Sequence, residues 1–419
     1  MLSFPQNNIS ADPRAFAPLP ERSMPRCSML VALVAAAFGA PASAALSDTV
    51  HPFAGLSYAY DSNLLRQPDG RDDPTAERAD TSRTLQAGVA FERPLGRQVL
   101  SGSARATRVS FDHYDQLNYN GKELSGDLRW QLGNHLEGNL GGSYSQTLSP
   151  FSDFHSAERN LRVQRGEYAE AKWRVHPSWQ LRGRLTRDEF DYELASQRYL
   201  KRNVNASELG LDYLVASGST VGLQWRRAKA RYPNPLQFGA LVYDQSYDQD
   251  EAKLKVLWRF SEATQLQFLG GRAKRAHARL AGADSSGSNG RLTASWQASA
   301  KLATNAAVWK EYSPFEGGSV SYSQDKGASA GASWTISAKL RADAQLRYVK
   351  RQFVGATTAA ALPANAEDST KTASLSLTYA PTRNSTVSAS VLRDTRSASS
   401  YFSSSYRSNG ATLNANIQF

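Results

Sequence analysis

Asn409-Gly410-Ala411-Thr412-Leu413-Asn414-Ala415-Asn416-Ile417-Gln418-Phe419 closes the chain. Ala411, Leu413, Ala415 and Ile417 share one side of a period-2 pattern, and Thr412, Asn414, Asn416 and Gln418 share the other. Such alternation defines a β-strand with one apolar and one wet face. The segment also has the length a tilted strand needs to cross a bilayer, roughly 9 to 11 residues. Soluble β-sandwiches contain similar strands, so the reading depends on whether the rest of the chain repeats this one.

It does. Eight segments share one design: an alternating strand ending on an aromatic, a short polar connection, then a second alternating strand and a longer polar loop. The aromatics are Phe91, Trp130, Trp173, Tyr213, Trp258, Trp296, Trp334 and Tyr379, spaced by 38 to 45 residues. Propeller blades and helical repeats have similar periods, so the internal pattern decides. Leu124, Gly126, Leu128, Trp130 and Leu132 alternate with Glu123, Ser125, Asp127, Arg129 and Gln131. Ala252, Leu254, Val256, Trp258 and Phe260 alternate with Lys253, Lys255 and Arg259, and Ala373, Leu375, Leu377 and Tyr379 with Ser374, Ser376 and Thr378. These are strands, not helices.

Connections after the aromatics are short: Gly133-Asn134-His135, His176-Pro177-Ser178, Ser217-Gly218-Ser219 and Pro381-Thr382-Arg383-Asn384. Those at the opposite ends are long. This asymmetry is that of a transmembrane β-barrel, with short periplasmic turns and a girdle of Trp and Tyr beside them. Eight hairpins give sixteen strands, and residues 52–61 and 409–419 add one at each end. The expected fold is therefore all-β: an antiparallel outer-membrane β-barrel of about eighteen strands. Weak patterns at 99–111 and 305–312 keep sixteen as the alternative. The competing soluble fold would need a core, but the apolar face is rich in Ala and Gly beside Leu and would pack one poorly, whereas lipid fills any shape.

Towards the N-terminus, Met24 opens a short basic region with Arg26, followed by an apolar run at 29–38 and the small-residue triplet Ala42-Ser43-Ala44. This reads as a secretory leader over residues 1–44, with translation starting at Met24 and a single barrel domain over 45–419. The only Cys, Cys27, and all three Met fall in the leader, so the remainder has no thiol chemistry. That remainder holds 46 basic and 36 acidic residues. A basic excess suits nucleic acid, anionic lipid or acidic solutes. The longest uncharged run, 352–366, is broken by Pro363 and is too polar for a membrane-spanning helix.

The residues expected to face the lumen lean basic: Arg129, Lys172, Arg174, Arg182, Arg184, Arg226, Lys253, Lys255 and Arg259. A positive lumen would draw anions. The plainer alternative is that these cations pair with Glu92, Glu123, Asp127, Glu137, Glu170 and Asp212 across strands. Because basic residues alternate along strands instead of forming a contiguous patch, nucleic acid is not an expected partner. Gly327-Ala328-Ser329-Ala330-Gly331 has the spacing of a nucleophile elbow, but that motif needs a strand-to-helix turn and this segment continues as a strand through Trp334. His51, His113, His135, His155, His176 and His277 lack metal-ligand spacing, and no catalytic residue, metal site or cofactor is expected. Tyr114, Tyr119, Phe151, Phe154, Phe238, Tyr243, Tyr247, Tyr401, Phe402 and Tyr406 fall among polar loop residues, either as an outer girdle or as stacking faces for sugars.

The opening segment Tyr60-Asp61-Ser62-Asn63-Leu64, with the hairpin repeats after it, resembles the EpsL family of exosortase/PEP-CTERM-associated exopolysaccharide biosynthesis proteins. Leu65 departs from that pattern, which carries an aromatic there. The resemblance covers about residues 50–419 and implies an outer-membrane barrel of a Gram-negative bacterium. It also implies a part in exopolysaccharide biosynthesis or export, with an exopolysaccharide chain as partner; a porin for small anionic solutes is the alternative. Read without the resemblance, Asp61 and Asn63 are turn-forming residues at a strand end. Phe419, a terminal aromatic on a two-sided strand, resembles the signal by which such barrels engage their assembly machinery. Outer-membrane lipid is the remaining expected partner.

Overall fold

The computed structural model describes residues 49–70, 77–152, 154–238, 241–279, 284–314, 320–356, 366–398 and 404–419. The leader at 1–44 and the aromatics Tyr401 and Phe402 lie outside the described residues. The first strand, β1 (Val50–Asp61), is followed by the hairpins β2 (Asp80–Leu95)/β3 (Gln98–Phe111), β4 (Tyr119–Leu132)/β5 (Leu136–Leu148), β6 (Leu161–His176)/β7 (Trp179–Tyr192) and β8 (Arg202–Leu214)/β9 (Thr220–Arg231). A small flap, β10 (Leu236–Phe238) and β11 (Leu241–Tyr243), interrupts the series. It resumes with β12 (Tyr247–Arg259)/β13 (Thr264–His277), β14 (Ser285–Ser299)/β15 (Leu302–Pro314), β16 (Val320–Ser337)/β17 (Leu340–Ala356) and β18 (Glu367–Thr382)/β19 (Ser385–Ala398), and ends on β20 (Tyr406–Gln418).

Each barrel strand pairs antiparallel with its neighbours, β9 with β12 across the flap, and β1 with both β2 and β20. At the seam Phe53 stands opposite Gln418 and Asp61 opposite Gly410. Eighteen strands thus close without an edge, as lipid requires, because an unpaired backbone group has no water to turn to there. The two weak patterns are full strands, β3 and β15. Their outward residues include Gly102, Ala104, Ala106 and Ala306, small side chains that carry little hydrophobic signal.

Leu85, Leu124, Leu185, Leu209, Leu223, Leu346 and Leu375 point outward and are 53 to 66% exposed. An apolar surface on that scale is untenable in water and natural in hydrocarbon. Trp173, Tyr213, Trp258, Trp296, Trp334 and Tyr379 share this outward face near the short turns, as a girdle at one rim. Gly96, Gly133 and Gly218 adopt φ of +66°, +60° and +78° in three of those turns, a left-handed conformation that favours glycine. No helix among the described residues is long and apolar enough to span a membrane.

One part of the wall departs from simple alternation. Pairing between β14 and β15 runs from Ser299–Leu302 to Gly290–Lys310 and stops there, though both strands continue towards the long-loop rim. Beyond this point Tyr312 and Tyr322, which alternation places with Val308 and Lys326 on the lipid side, are buried against Ala273 of β13. The tops of β15 and β16 therefore pass inside β13 and β14 and cover their inner face.

Candidate functional site: the lumen and its long-loop mouth

All nine basic residues expected in the lumen have inward register, and six of them are engaged by carboxylates. Glu170 contacts Lys172 at 3.3 Å and Arg184 at 3.4 Å. Asp212 contacts Arg182 at 3.5 Å and Lys255 at 2.9 Å. Arg226 bridges Glu208 at 3.0 Å and Glu251 at 3.3 Å, and Lys253 also pairs with Glu251. Sequence reasoning anticipated Glu170 and Asp212 as partners but missed Glu208 and Glu251. Both lie on the same alternating register as the cations they meet, which was the available signal.

Arg129, Arg174 and Arg259, close to the short turns, have no carboxylate within ion-pair distance among the described residues. Of the other anticipated acids, Glu123 pairs with Arg105, a lumen cation missing from the expected set, and Asp127 accepts a hydrogen bond from Tyr168. The lumen is thus a belt of ion pairs, with Arg129, Arg174 and Arg259 unengaged at the short-turn rim, where Glu92 and Glu137, the remaining anticipated acids, also form no ion pair among the described residues.

At the opposite mouth, a second cluster was not foreseen. Arg351 forms a forked pair with Asp368, at 2.9 Å from Nε and 2.6 Å from Nη2, and Arg396 approaches the same carboxylate at 3.6 Å. Arg66 binds Asp61 at 2.7 Å and lies 3.8 Å from Asp394, whose carboxylate also accepts the Tyr406 hydroxyl at 2.8 Å. The guanidinium groups of Arg66 and Arg396 approach the Tyr406 ring at 5.8 and 5.1 Å from its centroid. Arg66, Arg351 and Arg396 face Asp61, Asp368 and Asp394, with Asp325 opposite Arg351 in the sheet, so every cation is engaged and the cluster acts as a clamp. These residues sit at strand ends beyond a bilayer-length segment, which is why counting within such segments passed over them.

The clamp holds two loops. The β5–β6 connection is closed at its base by Ser149 N–H donating to the Asn160 carbonyl at 2.8 Å, and Asn160 Nδ2 donates to Gln197 at 2.6 Å. From there it reaches β19 and β20: Arg396 donates to the Ser152 carbonyl, His155 Nδ1 donates to the Leu65 carbonyl at 3.0 Å, and the His155 ring meets Tyr406 edge-on. Strands β1 to β4 lie between β20 and β5, so this loop crosses part of the mouth and narrows it.

The Tyr60-Asp61-Ser62-Asn63-Leu64 segment builds the other loop. Asp61 accepts the Asn63 N–H at 2.9 Å. Asn63 in turn donates to the Gln67 and Arg407 carbonyls at 3.0 and 3.1 Å, and its Oδ1 accepts the Gln67 N–H at 2.8 Å. This is turn chemistry tied to the seam. Arg66, at φ +55°, is the one non-glycine residue with positive φ among the described residues. Leu64 N–H donates to the Arg78 carbonyl at 2.9 Å, while Tyr60 has lipid-side register.

Several aromatics assigned to loops lie at strand ends. Tyr247 and Tyr406 begin β12 and β20 and are buried inward. Tyr247, Tyr312 and Tyr322 surround the Arg275 guanidinium at 3.8, 5.5 and 4.6 Å, and His277 stacks on Tyr322. His277, at the loop end of β13, has its pKa pushed down to about 4 by burial and then by Arg275. Ser329 of the elbow-like segment lies within β16, opposite Ala307 and Arg347 in the sheet, with no strand-to-helix turn.

Residues 253–419 match the sequence model of the family described as "Putative beta-barrel porin 2". The chain is an outer-membrane β-barrel of Gram-negative type. No curated protein matches it. OccK2 (OpdF) of Pseudomonas aeruginosa is similar over 89% of this chain and 99% of its own, at 10% identity and a TM-score of 0.49. OpdO of the same organism covers 89% and 98% at 12% identity and a TM-score of 0.48, and OccAB3 of Acinetobacter baumannii 89% and 100% at 12% and 0.44. At these values the likeness carries nothing about solute choice. The matched family's description names a porin-like barrel and says nothing of exopolysaccharide, so the family that the opening segment resembles finds no support there.

Proposed function

We propose that this barrel is a diffusion channel for small anionic solutes. The observation that carries the reading is that Arg129, Arg174 and Arg259 at the short-turn rim have no carboxylate within ion-pair distance among the described residues, beyond a belt in which Lys172, Arg182, Arg184, Arg226, Lys253 and Lys255 are paired. In a low-dielectric wall, like-signed side chains raise the local concentration of counter-ions, and the effect weakens as salt shortens the screening length. Lys253 and Lys255, engaged by Glu251 and Asp212, contribute less field than their number suggests.

Planar-bilayer recording tests this. Wild-type protein should conduct with anion preference, most clearly at low salt. Reversing Arg129, Arg174 and Arg259 to Glu should move the reversal potential towards cations further than reversing Lys253 and Lys255. Absence of conductance, or selectivity unchanged at every salt concentration, would sink the reading.

A second reading, exopolysaccharide export, is supported by the Tyr60 to Leu64 resemblance alone. Deleting the gene separates the two: loss of surface polysaccharide supports export, whereas normal polysaccharide with altered small-solute uptake supports the channel. Under either reading residues 1–44 act as a leader removed on export, leaving 45–419 as one barrel, and Phe419 serves recognition by the assembly machinery.

A further inference from the structure

From β14 to β18 the lumen wall is built differently from the ion-pair belt. Trp309 of β15 and Arg347 of β17 alternate with Val308 and Leu346, which are 52 and 61% exposed on the lipid side, so both point inward. Arg347 is exposed to the lumen and has no carboxylate within ion-pair distance among the described residues. Asp343, on the same strand towards the short turn, is held by Arg341 at 2.7 Å. Asp394, two strands away on β19, is engaged by Arg66 and Tyr406.

What holds Arg347 is an aromatic ring. Trp309 is 7% exposed and lies across β16, where its register partner is Gly327 and a Cβ would overlap the indole. Glycine here permits the close approach. The ring thereby reaches Arg347, whose guanidinium carbon is 5.1 Å from the ring centroid, while that of Arg291 on β14 is at 4.5 Å. Arg291 directs Nε and Nη2 to Glu311 at 3.2 and 2.9 Å. The remaining surroundings of Arg347 are neutral. Ser329, of the elbow-like segment, and Thr372 stand opposite it on β16 and β18, and the inward residues of β18 from Thr370 to Thr378 carry hydroxyls and no charge.

We infer that Arg347, positioned by Trp309, is a binding station of the lumen for a small hydroxylated carboxylate, a specificity that rests on the anion-channel reading. A guanidinium lying against a ring keeps its in-plane N–H donors for a planar partner, and a carboxylate matches that fork. Chloride cannot use two donors in this way. A phosphate dianion calls for a second free cation, and Arg291, which shares the ring, is already engaged by Glu311. Substituents next to the carboxylate meet Ser329 and Thr372, which favours hydroxyls over methyl groups.

The test records chloride current through the full mature barrel in planar bilayers as D-glycerate, propionate or inorganic phosphate is added. Glycerate should block wild type at a concentration at least about fivefold lower than either of the others. R347Q should raise the half-blocking glycerate concentration about tenfold. W309L keeps every charge but frees the guanidinium, and should raise it about threefold; G327A, which displaces the indole, should act in the same direction. S329A should weaken block by glycerate and leave block by propionate as it is. R108Q, which removes an outward cation from β3, should change neither. Heat-modifiable migration reports whether each variant is folded. Absence of anion preference in wild type would remove the channel reading itself. Anion preference with glycerate block unchanged in R347Q would overturn the station alone, and loss of block in R347Q but in neither W309L nor G327A would overturn the role of the ring. Equal block of wild type by glycerate and either other anion would overturn the assignment to a hydroxylated carboxylate.

Discussion

Asn63 is 2% exposed and makes three hydrogen bonds that fasten the first loop to the barrel seam. Removing its amide strands the Gln67 N–H and two carbonyls, a loss of about 1 to 3 kcal/mol. N63A should therefore unfold at lower urea in lipid vesicles, with conductance altered through the loosened mouth; a midpoint equal to wild type would show that water replaces the side chain. His277 offers a pH-dependent counterpart. Its folded pKa of about 4 lies below the ordinary histidine value of 6.5, so the neutral ring is favoured in the folded state. That contribution is fully present above about pH 6.5 and is lost as pH falls towards 4, amounting to up to about 3 kcal/mol. Urea midpoints measured from pH 7.5 to 4 should fall more steeply for wild type than for H277F; parallel curves would assign the slope to other groups.

Among the elements, the β5–β6 loop has the most direct functional consequence. Its contacts with Arg396, Leu65 and Tyr406 lie far from its own strands in sequence and around the wall. Replacing residues 151–158 by a short Gly-Ser linker should raise single-channel conductance while leaving folding intact. R396A, which removes the donor to Ser152, should do so in part and add current noise. The loop was illegible in the sequence, because alternation reports which side a strand residue faces but not where a connection between strands settles. The strands were legible for the same reason: Leu124 to Leu132 and Ala252 to Phe260 name their faces unaided. Alternation failed at Tyr312 and Tyr322, where β15 leaves β14 and a face assigned to lipid turns onto Arg275 instead.

At the scale of the whole molecule, strand number was readable because hairpins can be counted from the recurring aromatics, and the two odd strands at the ends make the total even. Charge pairing was only half readable. Glu170 and Asp212 were anticipated, but register between strands is set by pairing partners that a single strand does not reveal, and Glu208 and Glu251 entered through that register. Assembly belongs to this scale as well. Phe419 N–H donates to the Pro52 carbonyl at 2.8 Å, so the last residue is part of the closing seam as well as a terminal aromatic. F419A keeps this backbone contact but loses the ring, and should lower the yield of heat-modifiable barrel in cells more than it lowers refolding from urea in vitro. Equal loss in both would mean that the ring stabilises the barrel and is not read by the assembly machinery.

The even strand count has a topographical corollary. Val50 and Gln418 emerge at the same rim, the one with the short turns. An epitope tag placed just before Val50 or just after Phe419 should thus be silent to antibodies on intact cells and appear only after the envelope is permeabilised. The same tag inserted after Gly70, in the exposed connection that follows β1, should be detected on living cells. Whoever labels, immobilises or displays this barrel therefore has to work through its loops, since its first and last strands both end at the short-turn rim.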